Sequence, residues 1–215
     1  RQTLFSAEDM KSYIGGVILF DETIKQKTSN GTSIPELITK NNSVPGIKVD
    51  KGAKPLAGSP NETVTEGLDG LRDRLKEYFQ LGARFTKWRA VYNIGEKYPS
   101  AQSIKANAHA LARYAALVQE TNMVPIVEPE VLMDGSHDIE KCYQVTTDVL
   151  NECFNELMLH KVNLKGIVLK PNMIVPGAEC SKKVNSEEIA KKTLGCLKKN
   201  VPSEVPGIAF LSGGQ

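Results

Sequence analysis

Apolar residues in this chain gather into short segments, some continuous and some alternating, separated by longer stretches in which they recur every three to four residues. The runs cover 14–20, 45–50, 83–92, 123–127, 166–169 and 205–211, and each predicts a buried strand. The 83–92 segment alternates and holds the single tryptophan, Trp88. Between the runs the pattern predicts helices. A short one at 34–38 is opened by Pro35 near its first turn. Others cover 68–80, 103–120 with Ser103 as N-cap, 138–161, and 186 to about 199 with Ser186 as cap. Asn30-Gly31 reads as a turn, and 51–61 as a polar loop rich in Gly, Pro, Ser and Asn.

Strand and helix therefore alternate six times, with no run of hairpins. Strands that are apolar along their length and joined by helices imply a parallel sheet covered by helices. The fold class is α/β, and both a doubly wound sheet and a (β/α) barrel satisfy it. Neither a dinucleotide fingerprint nor a G-x-x-x-x-G-K-[ST] loop is present, which counts against a nucleotide-binding open sheet.

Composition narrows the function classes. The 215 residues suit one large domain or two small ones, and 40% hydrophobic with 24% charged residues is ordinary for a globular protein. A formal charge of +2 gives no reason to expect nucleic acid or an acidic membrane as partner, so any positive site must be local. Cys142, Cys153, Cys180 and Cys196 form no C-x-x-C pair and have no histidine at ligand spacing, so no metal and no disulfide framework is expected. No signal peptide opens the chain, no apolar run approaches a membrane span, and Asn30, Asn41 and Asn61 open N-x-[ST] triplets without a secretory signal. A reducing, cytoplasmic location is the expectation. The chain begins at Arg1 and stops at Gln215 just after a glycine pair, which reads as two cuts through one domain.

Chemistry-bearing residues collect at the carboxyl ends of the strands: Lys48 and Asp50, Lys87 and Arg89, Glu128 and Glu130, Lys170 and Asn172, then Ser212. Four of these sets are spaced i, i+2, which puts both side chains on one face of a strand. In a barrel that face is the interior and its C-terminal rim, where such enzymes keep their active sites. The competing explanation is a layer of mutually satisfied ion pairs. Lys170 closes the run Gly166-Ile167-Val168-Leu169 just before Pro171. An amine at a dry strand end loses solvation of its ammonium form, which favours the free, nucleophilic amine that Schiff-base chemistry needs. Lys87 is a second ammonium for the same site, and Glu128 and Glu130 are candidate proton shuttles. Ser212-Gly213-Gly214 offers unobstructed backbone N–H groups for a phosphate, and Arg89 suits a phosphate or a carboxylate. His109, His137 and His160 fall in or beside helices and read as structural or solvated, with no Ser-His-Asp or Cys-His arrangement.

At these residues the chain resembles the class I fructose-1,6-bisphosphate aldolases. The resemblance rests on Gly46-Ile-Lys-Val-Asp-Lys51, Ala83-Arg-Phe-Thr-Lys-Trp-Arg89, Ile126-Val-Glu-Pro-Glu130, Leu169-Lys-Pro-Asn-Met173 and Phe210-Leu-Ser-Gly-Gly-Gln215, in the family's order, and runs from Arg1 to Gln215. It implies a (β/α)₈ TIM barrel of which this segment covers about strands 2 to 7, as one domain truncated at both ends and inactive or unstable alone. The implied activity is reversible cleavage of fructose 1,6-bisphosphate to dihydroxyacetone phosphate and glyceraldehyde 3-phosphate, in glycolysis and gluconeogenesis, without cofactor or metal. By motif position Lys170 would form the Schiff base, and Glu128 would act as acid and base on the carbinolamine. Glu130 and Lys87 would assist proton transfer. Lys48 would face the distal phosphate, and Ser212 and Gly213, with Gly214 beside them, would hold the phosphate nearest the ketone. Asp50 and Arg89 would support the network. A homotetramer is the implied assembly. The family usually carries Glu where this chain has Lys165. Three alternatives stand beside this reading: a transaldolase-like lyase, a metal-dependent aldolase, which the lack of clustered histidines disfavours, and a catalytically silent barrel acting as a binding or scaffold module.

Overall fold

The computed structural model describes residues 2–210. Five strands form one all-parallel sheet: β1 (Gly16–Leu19), β2 (Val44–Lys48), β5 (Phe85–Tyr92), β6 (Val124–Val131) and β7 (Val168–Leu169), adjacent in that order. A small second sheet pairs β3 (Ala53–Pro55) with β4 (Thr63–Thr65). The helices are α1 (Gln2–Phe5), α2 (Met10–Tyr13), α3 (Asp21–Ile24), α4 (Ile34–Lys40), α5 (Leu71–Gln80), α6 (Ala101–Glu120), α7 (Ile139–Leu159) and α8 (Ser186–Asn200). A parallel sheet whose neighbours follow chain order, each strand succeeded by a helix, is part of a (β/α)₈ barrel. Among the described residues no helix is long and apolar enough to cross a membrane.

The pattern reading needs five corrections. The stretch read as a polar loop holds β3, which pairs with β4 just beyond it in a hairpin fixed by polar tertiary contacts and not by an apolar repeat. The Asn107 side chain on α6 accepts from Thr65 N at 3.0 Å and donates to Thr63 O at 2.8 Å, while Thr65 Oγ1 donates to Arg89 O at 2.8 Å. Helix α6 starts one turn earlier than expected, because Ser100 is its N-cap and accepts from Ser103 N. Ser103 is instead a buried residue of its first turn. Helix α8 is capped by Asn185, which accepts from Glu188 N, and Ser186 is its first residue. Leu164–Gly166 forms a 3₁₀ turn, which shortens the strand expected at 166–169 to two residues. The strand expected at 205–211 is reduced to one parallel bridge, Leu169 to Ile208, with Leu211 outside the described residues. Asp138 caps α7 as expected, accepting from Lys141 N at 2.8 Å.

The two faces of the sheet differ in chemistry. On β5, Thr86, Trp88, Ala90 and Tyr92 are buried toward the helices. Trp88 lies 5.3 Å from the Tyr114 ring on α6. The Tyr114 hydroxyl shares a 2.6 Å hydrogen bond with Thr86 and donates to Ile126 O at 3.2 Å, which locks α6 across β5 and β6. The alternate residues Phe85, Lys87 and Arg89 point to the opposite, inner face. At its lower end Phe85 lies across two glycines. A Cβ on Gly46 would come within 2.3 Å of the Phe85 ring, and one on Gly16 within 3.0 Å. Gly46→Ala is therefore expected to destabilise the fold by about 1–3 kcal/mol, the usual cost of overpacking a filled core. A urea midpoint for the full-length protein equal to that of the wild type would contradict it.

Candidate active site

Parallel pairing carries the i, i+2 pattern from strand to strand. Lys48 stands beside Lys87, Lys87 beside Ile126 and Arg89 beside Glu128. Ile126 in turn pairs with Val168, and Lys170 N continues the ladder by donating to Val127 O at 2.8 Å. Residues in register share a face, so Lys48, Lys87, Arg89, Glu128, Glu130 and Lys170 all project from the inner side, toward the carboxyl ends of their strands. The helix-facing side of the same strands carries none of these charges.

Glu128 is the centre of the group. Its side chain is 2% exposed and holds two ammonium groups at once. Lys170 Nζ donates to Oε1 at 2.5 Å, and Lys87 Nζ forms an ion pair with Oε2 at 2.8 Å, approaching outside hydrogen-bond geometry. Both lysines are largely enclosed, with side chains 20% and 14% exposed. A buried carboxylate is tolerated where cations satisfy it, and here two do. Lys170 can stand at the strand end because Pro171 stops the strand: a prolyl residue has no N–H to continue the ladder.

Two further pairs flank this centre. Lys48 Nζ donates to Asp50 Oδ1 at 2.5 Å and to Asp50 O at 3.1 Å. Asp50 also accepts from Gly52 N at 3.1 Å and from Arg89 N at 3.3 Å, so it ties the loop after β2 to β5. Arg89 Nε donates to Glu130, and that bond raises the guanidinium pKa above its ordinary value while burial works against it. Four cations, Lys48, Lys87, Arg89 and Lys170, thus face three carboxylates, Asp50, Glu128 and Glu130. The local excess of one positive charge suits an anionic ligand in a chain that is nearly neutral overall.

Seven of the residues expected at the site come together: Lys48, Asp50, Lys87, Arg89, Glu128, Glu130 and Lys170. Ser212, Gly213 and Gly214 lie outside the described residues. Asn172 does not join the group. It is buried, and its side chain accepts from Val131 N and donates to Thr146 Oγ1 and Met173 O, each at 3.0 Å. It braces β6 against α7, because beyond Pro171 the chain leaves strand alternation. Lys165 is exposed on the 3₁₀ turn at the opposite end of β7 from Lys170.

Sequence reasoning missed Arg74 on α5. Its guanidinium reaches back to Val49 O at 3.0 Å and Gly67 O at 2.5 Å, fastening the loops that follow β2 and β4. A charge on an amphipathic helix looks solvated from spacing alone, so the sequence carried no signal for this. Asp21, at the start of α3, accepts from Tyr78 OH at 2.8 Å, and hydrogen bonds from Lys25 and then Tyr78 hold its carboxyl below the usual range. Burial pushes the thiols of Cys142 and Cys196 up and that of Cys153 up to about 12, so none of these three supplies a thiolate near neutral pH.

Comparison with known proteins adds an independent line. Residues 1–215 match the family model for fructose-bisphosphate aldolase class-I. The whole chain aligns at 58% identity with a probable fructose-bisphosphate aldolase class 1 of Xanthomonas axonopodis pv. citri, covering 64% of that protein. It aligns at 53% with the cytosolic fructose-bisphosphate aldolase 4 of Arabidopsis thaliana, covering 55% of it. Among solved structures, the fructose-bisphosphate aldolase of Plasmodium falciparum, in a ternary co-crystal with TRAP and a small-molecule inhibitor, superposes with a TM-score of 0.95 at 45% identity. That superposition covers 98% of this chain and 61% of the other. The chain spans roughly three fifths of the length of these proteins.

Proposed function

The chain belongs to the class I fructose-bisphosphate aldolase family, and from that premise we propose that the protein containing it cleaves fructose 1,6-bisphosphate reversibly through a Schiff base on Lys170. The observation that carries this reading is the Glu128 carboxylate, held between Lys170 at 2.5 Å and Lys87 at 2.8 Å on the inner face.

The chemistry follows from that contact. Glu128 accepts a proton from the Lys170 ammonium, and the free amine adds to the substrate ketone to give a carbinolamine. Glu128 returns the proton to the carbinolamine hydroxyl, water leaves, and the nitrogen lone pair closes the C=N bond as an iminium. The iminium then takes up the electron pair of the breaking carbon–carbon bond while a carboxylate base accepts the proton of the hydroxyl on the departing carbon. The aldehyde leaves, an enamine remains, and that proton is available to return to the enamine carbon. Protonation of the enamine and hydrolysis of the C=N bond release the ketone product and restore Lys170. Lys87 keeps a positive charge on the second oxygen of Glu128 throughout, and Glu130, paired with Arg89, is the next carboxylate available to relay protons. Lys48 and Arg89 supply positive charge for a doubly phosphorylated sugar. Ser212, Gly213 and Gly214 complete the proposed phosphate site. A homotetramer in the cytoplasm belongs to the same proposal, with the cytosolic Arabidopsis relatives in its favour. A silent scaffold has no support here: nothing in scaffolding calls for two ammonium groups on one buried carboxylate.

The test is borohydride trapping with dihydroxyacetone phosphate on the full-length protein, in EDTA, followed by peptide mapping. The expected result is one stable adduct per chain, on Lys170. An adduct on another residue, or none, overturns the mechanism.

A further inference from the structure

Away from the inner face, a second cluster of titratable side chains sits in the seam between α6 and α7. Glu156 is a carboxylate only 5% exposed there. Two imidazoles meet it. His109, from the middle of α6, places Nδ1 at 3.1 Å from Glu156 Oε2. His160, the residue that ends α7, places Nδ1 at 2.9 Å from the Glu156 backbone oxygen and 3.4 Å from Oε2. The two rings lie 4.9 Å apart, edge to face at 72°. One donor atom from each of the three residues falls within 4.8 Å of the other two.

We propose that His109, Glu156 and His160 bind a divalent transition-metal ion of the zinc class, which pins α6 to α7. Three observations support this. A carbonyl oxygen only accepts, so the 2.9 Å contact places the proton of neutral His160 on Nδ1 and leaves the Nε2 lone pair free. Metal-ligating histidines are held in this way, their second ring N–H spent on a backbone carbonyl or carboxylate. Glu156 and His160 are one helical turn apart and so can offer a carboxylate oxygen and Nε2 from one helix, while His109 closes the set from the other. The donors are two imidazoles and one carboxylate, a set that suits zinc, whereas magnesium and calcium prefer oxygen alone. His109 is 49% exposed, which leaves room for water in the remaining coordination position. The cluster lies on the helical layer, across the sheet from Lys170, so the ion takes no part in cleavage.

The proposal is tested with cobalt(II) as a spectroscopic stand-in for zinc, titrated into metal-stripped full-length protein. One d–d absorption band saturating at one equivalent per chain and bleached by added zinc is the expected result. His109→Asn and His160→Asn should each weaken the zinc competition at least tenfold. Zinc at a hundredfold excess over its Kd should raise the unfolding midpoint by roughly 5 °C in the wild type and by much less in either variant. Both variants alter partly exposed side chains, and circular dichroism confirms that they fold. Absence of the band overturns the proposal. So does a thiolate charge-transfer band, which would assign the metal to a cysteine, or cobalt binding unchanged in both variants.

Discussion

Lys170→Arg is expected to abolish the proposed cleavage, with kcat falling by roughly four to six orders of magnitude, the scale seen when a covalent nucleophile is removed. Arginine is the informative replacement because it keeps a cation beside Glu128 and preserves the charge of the site. Its guanidinium stays protonated at every accessible pH and forms no iminium with a ketone. The observed pairing of Lys170 with Glu128 and its proposed attack on the carbonyl are thereby separated. Substrate binding should persist, because the groups proposed to face the phosphates are untouched, so KM changes little and the borohydride adduct disappears. Steady-state kinetics together with the trapping assay reads both. A variant keeping more than about a hundredth of the wild-type kcat would rule out Lys170 as the nucleophile, since no such residue survives removal at that level.

How much of this was legible beforehand depends on what each feature is made of. Strands of a parallel sheet covered by helices are rich in apolar residues, continuous in β1 and alternating around Trp88 in β5, so β1, β2, β5 and β6 stand out without any structure. The inner face was legible for a related reason. Parallel register carries an i, i+2 pattern across neighbouring strands, so Lys87 with Arg89 and Glu128 with Glu130 had to share a side. Features held by tertiary polar contacts left no such trace. The β3–β4 hairpin depends on Asn107, more than 40 residues from its strands. Ser103 and Ser100 are equally able caps in sequence, and packing decides between them. Asn172 looked like part of the catalytic rim because it repeats the spacing of its neighbours, but Pro171 breaks the alternation that would aim it there. The His109–Glu156–His160 cluster defeats a search for ligand spacing because its helices are brought together only by the fold, with the first two members 47 positions apart in sequence.

Glu128→Gln is expected to lower kcat by about 10²–10⁴-fold, the usual contribution of a positioned acid-base group. Glutamine keeps the size and one acceptor oxygen of glutamate but neither takes nor returns a proton. In the proposed sequence Glu128 acts twice, on the Lys170 ammonium and on the carbinolamine hydroxyl, so the variant should accumulate carbinolamine and trap slowly with borohydride. The adduct should still form on Lys170, which distinguishes a slowed dehydration from a lost nucleophile. A structural consequence accompanies the kinetic one. Glu128 is the carboxylate contacting both Lys170 and Lys87, and removing its charge leaves two enclosed ammonium groups facing one another. Breaking a buried ion pair from one side costs about 3–5 kcal/mol, so the unfolding midpoint should fall. Lys87→Met in the Glu128→Gln background removes one of those charges and should restore part of that stability without restoring kcat. Rescue of kcat by the double variant would mean that Glu128 serves as a counter-ion and not as a proton carrier, and the mechanism would then have to place its acid-base group on Glu130.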